Sequence, residues 1–228
     1  MTPSARRINA LARSLQARRY LEIGVAQGET FRDVAIAERT AVDPRFQFST
    51  AGLTDERTRF CPQTSDAFFA AEPHLPAYDV VFIDGLHEFG QVARDFGNAI
   101  LRTHRHSVII LDDTVPNSVY STIQDEDAAR RHKKIAGIED PAWHGDVFRI
   151  VFYLHDFWPS LNYRTIMDAG NPQTLVWRAN GAGRRPLFGD LERISRLTYF
   201  DMHDNFEVLR PAHEDEAISV CIAETIVP

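Results

Sequence analysis

The 228 residues carry 32 acidic side chains against 25 Lys and Arg, a formal net charge of -7, which argues against a general binder of nucleic acid or of anionic membranes. With 44% hydrophobic residues, 25% charged and 15 Phe, the composition suits a soluble globular chain able to bury one sizeable α/β core. Nowhere do about 18 apolar residues run together and no apolar stretch follows Arg6-Arg7, so no membrane span or secretory leader is expected. Cys61 and Cys221 stand in no C-x-x-C or metal-ligand spacing and read as reduced thiols of a cytoplasmic protein.

Along the chain, Ile8, Leu11 and Leu15 recur at helical spacing and predict an amphipathic helix over 5–18. Tyr20-Leu21-Glu22-Ile23-Gly24 reads as a strand broken by glycine, followed by a helix over 29–38. A second strand ends near Val42-Asp43, because Pro44 blocks a central ladder position. A short strand at Arg59-Phe60-Cys61 and a helix from Ser65 through Ala71 come next. Strands over 78–84 and 107–112 flank a helix over 88–102, and this alternation implies right-handed parallel βαβ units in a doubly wound sheet. On that helix, Asp95 reads as solvated surface. Residues 117–142 are charged and punctuated, as in a mobile loop or lid, with Arg130-Arg131-His132-Lys133-Lys134 as a solvated face. Residues 146–156 read as helix, 161–167 and 173–178 as a last strand pair around Gly170-Asn171-Pro172, and 180–186 as a loop. The domain so predicted spans 1–186, and 187–228 forms an appendage that packs on it or on a second copy of the chain.

Two apolar runs end in acids: Val80-Val81-Phe82-Ile83 leads into Asp84-Gly85-Leu86-His87, and Val108-Ile109-Ile110-Leu111 into Asp112-Asp113. If these buried strands are parallel neighbours, Asp84, Asp112, Asp113 and His87 converge at the carboxyl edge of the sheet, where open α/β sheets place ligands. Such hard oxygen donors suit Mg²⁺ or a similar divalent cation, and an imidazole beside them can act as general base. Asp112 and Asp113 can also cap the turn that follows, and His87 can cap or pack the helix starting at 88.

Upstream, Gly24 and Gly28 frame a tight strand-to-helix turn in the spacing G-x-A-x-G. It lacks the G-x-G-x-x-G dinucleotide fingerprint, and Glu22 on the strand would repel phosphates. Asp43, at the end of the second strand, can accept hydrogen bonds from both hydroxyls of a ribose. A glycine turn and a ribose acid without phosphate chemistry point to a nucleoside cofactor such as S-adenosylmethionine.

Together with Thr64-Ser65-Asp66-Ala67-Phe68-Phe69 and Ile110-Leu111-Asp112-Asp113-Thr114, these blocks resemble a class I S-adenosylmethionine-dependent methyltransferase. The subgroup resembled includes bacterial metal-dependent sugar O-methyltransferases of macrolide and aminocoumarin biosynthesis, over roughly residues 18–180. The resemblance implies a mostly parallel seven-stranded Rossmann-like sheet. It assigns Glu22, Gly24, Gly28, Asp43 and Asp84 to the cofactor, with Glu22 toward its amino acid part, and sets Thr64, Ser65 and Asp66 beside the adenine. It makes Asp84, Asp112 and Asp113 the ligands of Mg²⁺ or a similar cation and His87 the catalytic base. Ala26 stands where many such enzymes have glycine, and His106-Ser107 where Gly-Gly is frequent.

The segment Trp143-His144-Gly145-Asp146-Val147 resembles a block that follows the metal strand in this subgroup, with His144 and Asp146 at a substrate entrance or Asp146 as a helix cap. The expected partner is a hydroxylated small molecule, a sugar or natural-product glycoside, rather than nucleic acid or membrane. Self-association through Leu191, Ile194, Leu197, Tyr199 and Phe200 is left open. Two other readings are an oxidative, hydroxylase-like enzyme on the same fold, for which an Fe(II) triad wants two His, and a binding module that has lost transfer.

Overall fold

The computed structural model describes residues 1–71, 76–179 and 184–226, so of the expected loop over 180–186 residues 180–183 lie outside the described part. Strands β1 (Arg19–Ile23), β2 (Glu38–Val42), β3 (Thr58–Cys61), β4 (Tyr78–Ile83), β5 (Thr103–Leu111), β6 (Leu161–Ile166), β7 (Gln173–Arg178) and β8 (Pro211–Ala212) form one sheet in the order β3-β2-β1-β4-β5-β7-β6-β8. The first five in that order run parallel, and β7 is antiparallel to both of its neighbours. The expected doubly wound, mostly parallel sheet is present, with eight strands rather than seven. Strand β8 is two residues long and begins with proline, so no apolar alternation announces it.

The helices are α1 (Pro3–Leu15), α2 (Glu29–Asp33), α3 (Ser65–Ala71), α4 (Phe89–Ile100), α5 (Glu126–Ile135), α6 (Arg149–Phe157), α7 (Leu191–Ile194), α8 (Tyr199–Asp204) and α9 (Glu214–Ile226). Side chains of a strand alternate between its two faces. Leu21, Ile23, Val81, Ile83, Ile109 and Leu111 therefore pack with α3, α4 and α6. Tyr20, Val80, Phe82, Val108 and Ile110 pack on the other side with α1, α2 and α9. Burial on both faces explains why β4 and β5 are continuous apolar runs.

Several elements end elsewhere than the sequence suggested. Helix α2 stops at Asp33 because Asn9 on α1 intercepts the chain: its Nδ2 donates to Asp33 O at 2.8 Å and its Oδ1 accepts from Ala35 N at 2.8 Å. Strand β5 starts early, at polar Thr103. The segment expected to be a mobile lid contains a 3-10 turn at Val119–Thr122 and helix α5, capped by Asp125 accepting from Ala128 N at 2.6 Å. Within the supposed solvated face Lys133 is buried, and its Nζ donates to the Asp140 and Ala142 carbonyls. Asp95 is likewise buried, with Gln91 Nε2 donating to it at 2.9 Å; burial raises its pKa. Among the described residues no helix is long and apolar enough to cross a membrane.

Candidate active site

Parallel register is what assembles the site. Ile23 pairs with Ile83, and Ile83 with Leu111, so Gly24, Asp84 and Asp112 leave the sheet side by side. Asp84 N donates to Ile23 O at 2.8 Å and Asp112 N to Ile83 O at 3.1 Å. These strand ends line a cavity of about 730 Å³. Of the residues singled out in the sequence, Glu22, Gly24, Asp43, Ser65, Asp84, His87, Asp112 and Asp113 line it together. Gly28 and Asp66 do not: Gly28 starts α2 in left-handed backbone, and exposed Asp66 pairs with Arg94 at 3.4 Å.

The cavity has two halves. In one, Gly24 holds φ +80, and a Cβ built there would lie 1.9 Å from the Asp84 carbonyl oxygen, so only glycine fits. Asp43 Oδ2 accepts from Val25 N and Ala26 N, both at 2.8 Å, and Oδ1 accepts from Arg45 N at 2.7 Å. Those bonds hold Ala26 at φ +44, a strained value for a residue with a side chain. Glu22 is buried, and the Tyr20 hydroxyl donates to it at 2.5 Å. Burial pushes the Glu22 pKa up to about 8 against the Tyr20 bond, and the charges of Asp84 and Asp43 add to the rise. A cationic ligand group would offset this unfavourable burial of an acid.

In the other half, Asp84, His87 and Asp113 bring donor atoms within 4.8 Å of one another. His87 Nε2 lies 3.1 Å from Asp113 Oδ2 and 3.6 Å from Asp84 Oδ1. Its ring stacks on Trp143 at 4.8 Å, and Nδ1 lies 3.0 Å from the Trp143 carbonyl. A carbonyl only accepts, so Nδ1 carries a hydrogen and the lone pair of neutral His87 faces the carboxylates. Burial works to lower the His87 pKa, but the interactions with Asp84 and Asp113 outweigh it and raise it to about 9. Burial raises Asp84 to about 6, opposed by His87 and reinforced by Asp113. Burial and the charges of Asp84 and Asp113 push Asp112 well above the usual carboxylate range. Asp113 sits at φ +57, another strained position at the same centre.

Residues 143–146 brace this half from outside. His144 N and Gly145 N donate to Ser121 O at 3.1 and 2.9 Å, and Trp143 Nε1 to Ile123 O at 2.7 Å. Asp146 Oδ1 accepts from Phe89 N at 2.6 Å, so it caps α4 across space instead of the helix it precedes. His144 is buried rather than at an entrance. Its Nε2 is 3.8 Å from Asp113 Oδ1, its Nδ1 is unpartnered, and burial lowers its pKa. Asn171, read in the sequence only as a turn residue, also lines the cavity. Its Nδ2 donates to Asp112 Oδ1 at 2.6 Å and to Asp113 Oδ1 at 2.7 Å.

Residues 21–114, which supply nearly every side chain of both halves, match the sequence model of a family described as a methyltransferase domain. Over that span the chain is similar to a methyltransferase domain. Its fold is shared at low identity with solved structures, two O-methyltransferases among them. TomG from Streptomyces achromogenes, involved in tomaymycin synthesis and solved with S-adenosylmethionine, is 18% identical, with a TM-score of 0.53 over 78% of this chain and 80% of that one. An O-methyltransferase from Bacillus cereus in complex with S-adenosylhomocysteine is 15% identical, with a TM-score of 0.53 over 76% and 80%. Cofactor-bound Rv0187 from MTB is 19% identical, with a TM-score of 0.51 over 77% and 80%. No curated protein sequence matches the chain. The methyltransferase domain as matched ends just after Asp112-Asp113, so Trp143, His144 and Asn171 lie outside the matched span.

Proposed function

We propose that the chain is an S-adenosylmethionine-dependent O-methyltransferase that uses a divalent cation to methylate a hydroxyl of a small molecule, of the sugar or polyol class. The observation that carries the reading is the juxtaposition in one cavity of the Gly24 turn and Asp43 with the cluster Asp84, His87 and Asp113. S-adenosylmethionine supplies a methyl group on a sulfonium, and a divalent cation makes a nearby hydroxyl more acidic.

The residues fit both groups. The close packing of Gly24 on the Asp84 backbone, which any Cβ would block, keeps these two strand ends side by side at the cavity, with Asp43 toward a ribose and Glu22 toward a cationic amino acid part. Asp84, Asp113 and Asp112 would hold the cation, because crowded carboxylates, with Asp84 and Asp112 held above the usual range, gain from a positive charge. Oxygen donors without cysteine favour Mg²⁺ or Mn²⁺. His87 Nε2 would take the acceptor hydroxyl's proton, and S-adenosylmethionine, held at the Gly24 and Asp43 half, would supply the methyl group of the resulting ether and depart as S-adenosylhomocysteine. The chain's own contribution is alignment of oxygen, carbon and sulfur together with this proton transfer.

An oxidative reading would need two imidazoles and a carboxylate around one iron. His87 and His144 approach opposite oxygens of Asp113, Oδ2 and Oδ1 respectively, so they flank the carboxylate and the methyl-transfer reading is preferred. Calorimetry with S-adenosylmethionine, with and without Mg²⁺, tests the proposal alongside methyl transfer to a panel of polyols and glycosides. Micromolar binding and chelator-sensitive turnover are expected; absence of cofactor binding under both conditions contradicts it.

A further inference from the structure

We infer that Asn171 is the positioning residue of the cation centre: it pins one oxygen of Asp112 and one of Asp113, so that Asp113 Oδ2 is left toward the cluster it forms with Asp84 and His87. The inference rests on the cation-assisted reading above. Both partners of the Asn171 amide are carboxylates, so the donor nitrogen must face them, at 2.6 and 2.7 Å. Asp113 N adds a second bond to the same Asp112 Oδ1, at 2.9 Å. With Oδ1 taken on each acid, Asp113 Oδ2 is left facing His87 Nε2 at 3.1 Å. A turn asparagine ordinarily bonds its own backbone within a few residues; this one reaches acids 59 and 58 residues away.

The turn carrying Asn171 is itself held firmly. Arg7, fully buried on α1, donates Nη1 to Asn171 O at 2.7 Å and Nη2 to Asp168 O at 2.8 Å. Its Nε pairs with Glu214 at the start of α9 at 2.8 Å. Gly170, at φ +127, packs so closely on Pro3 that a Cβ would lie 2.6 Å from it. The N- and C-terminal helices thus lock a carboxamide over two carboxylates, and partners that orient ligating acids ordinarily change metal affinity 10–100-fold when removed.

The test is Mn²⁺ binding by the full-length protein, followed by calorimetry and electron paramagnetic resonance. Asn171→Ala is expected to weaken Mn²⁺ about 10–100-fold while S-adenosylhomocysteine affinity stays at the wild-type value. Asn171→Ser, which keeps a shorter donor and guards against a folding defect, should fall between. A folded Asn171→Ala that binds Mn²⁺ as the wild type does overturns the inference, even if its cation-free melting temperature drops, since that drop would mark a role in the turn only. Wild-type protein that binds no Mn²⁺ overturns the cation-assisted reading itself and the inference with it, a result seen before any variant is made.

Discussion

Trp143 fixes which nitrogen of His87 faces the carboxylates, and that decides how the base can be tested. Nε2 stands close enough to Asp113 and Asp84 to be either a proton acceptor or a ligand; the account assigns it the proton. His87→Gln should then lower kcat by roughly 10²–10⁴ with Mn²⁺ and cofactor affinities retained, whereas loss of Mn²⁺ binding in calorimetry would make it a ligand. The raised His87 pKa of about 9 means that, without cation, the imidazole carries a proton at neutral pH. A cation held by the neighbouring carboxylates is repelled by that charge without being bound to the ring, so Mn²⁺ affinity is expected to climb with pH toward 9, and in His87→Gln the slope should flatten with neutral-pH affinity no weaker than the wild type's. Glu22 offers a second pH test. Its folded pKa, about 8, lies above the ordinary 4.5. Between those values the folded protein keeps a proton that the unfolded chain releases, so the stabilisation is complete below about 4.5 and is lost as pH rises toward 8. Glu22→Gln, which mimics the protonated form, should raise the melting temperature at pH 8 more than at pH 5; equal shifts at the two pH values would count against this. At this scale the acids at the strand ends were legible, because each follows an apolar run. Asn171 was not, since nothing in Gly170-Asn171-Pro172 distinguishes a turn residue from one that grips acids 58 residues away.

At the scale of elements, the link between Trp143 and Arg149 behaves as a brace for the loop bearing His87. Gly145 sits at φ +56, and a Cβ there would lie 1.8 Å from the His87 carbonyl oxygen. Gly145→Ala combines that clash with a left-handed backbone that alone costs about 1–2 kcal/mol. It should displace His87 and reduce kcat by about tenfold or more while leaving S-adenosylmethionine affinity intact, because the bonds of this brace run to Ser121, Ile123, His87 and Phe89 rather than to Gly24 or Asp43. Cofactor affinity falling in step with kcat, measured by calorimetry and steady-state kinetics, would show the two halves to be one mechanical unit. The brace was half legible: the block Trp143–Val147 stood out by resemblance, but Asp146 was read toward its own helix or an entrance, and the structure has it cap α4. Helix α5 was missed because its dense run of charges resembles a solvated loop, and its Lys133 is buried only by closing onto the Asp140 and Ala142 carbonyls. Contacts of that kind depend on chain reversal and leave no periodic signal.

For the whole molecule, the parallel half of the sheet could be read because burial on both faces forces continuous apolar runs in β4 and β5 and because helices alternate with them. The closing elements could not: β8 is too short to pattern, and α9 is anchored through Glu214 to Arg7, an ion pair spanning 207 residues. That same long-range pair is what ties the chain ends to the turn over the carboxylates, so the region 187–226 contributes to the site by support rather than by lining the cavity. As proposed, one cavity would set the cofactor's methyl group beside a cation held by Asp84, Asp112 and Asp113. Nuclear magnetic resonance of S-adenosylmethionine labelled with ¹³C in the methyl group, bound to the protein and titrated with Mn²⁺, measures that proximity directly. The account predicts strong paramagnetic broadening of the methyl resonance that disappears in Asp113→Asn; a bound cofactor whose methyl signal is untouched once Mn²⁺ is also bound would contradict it.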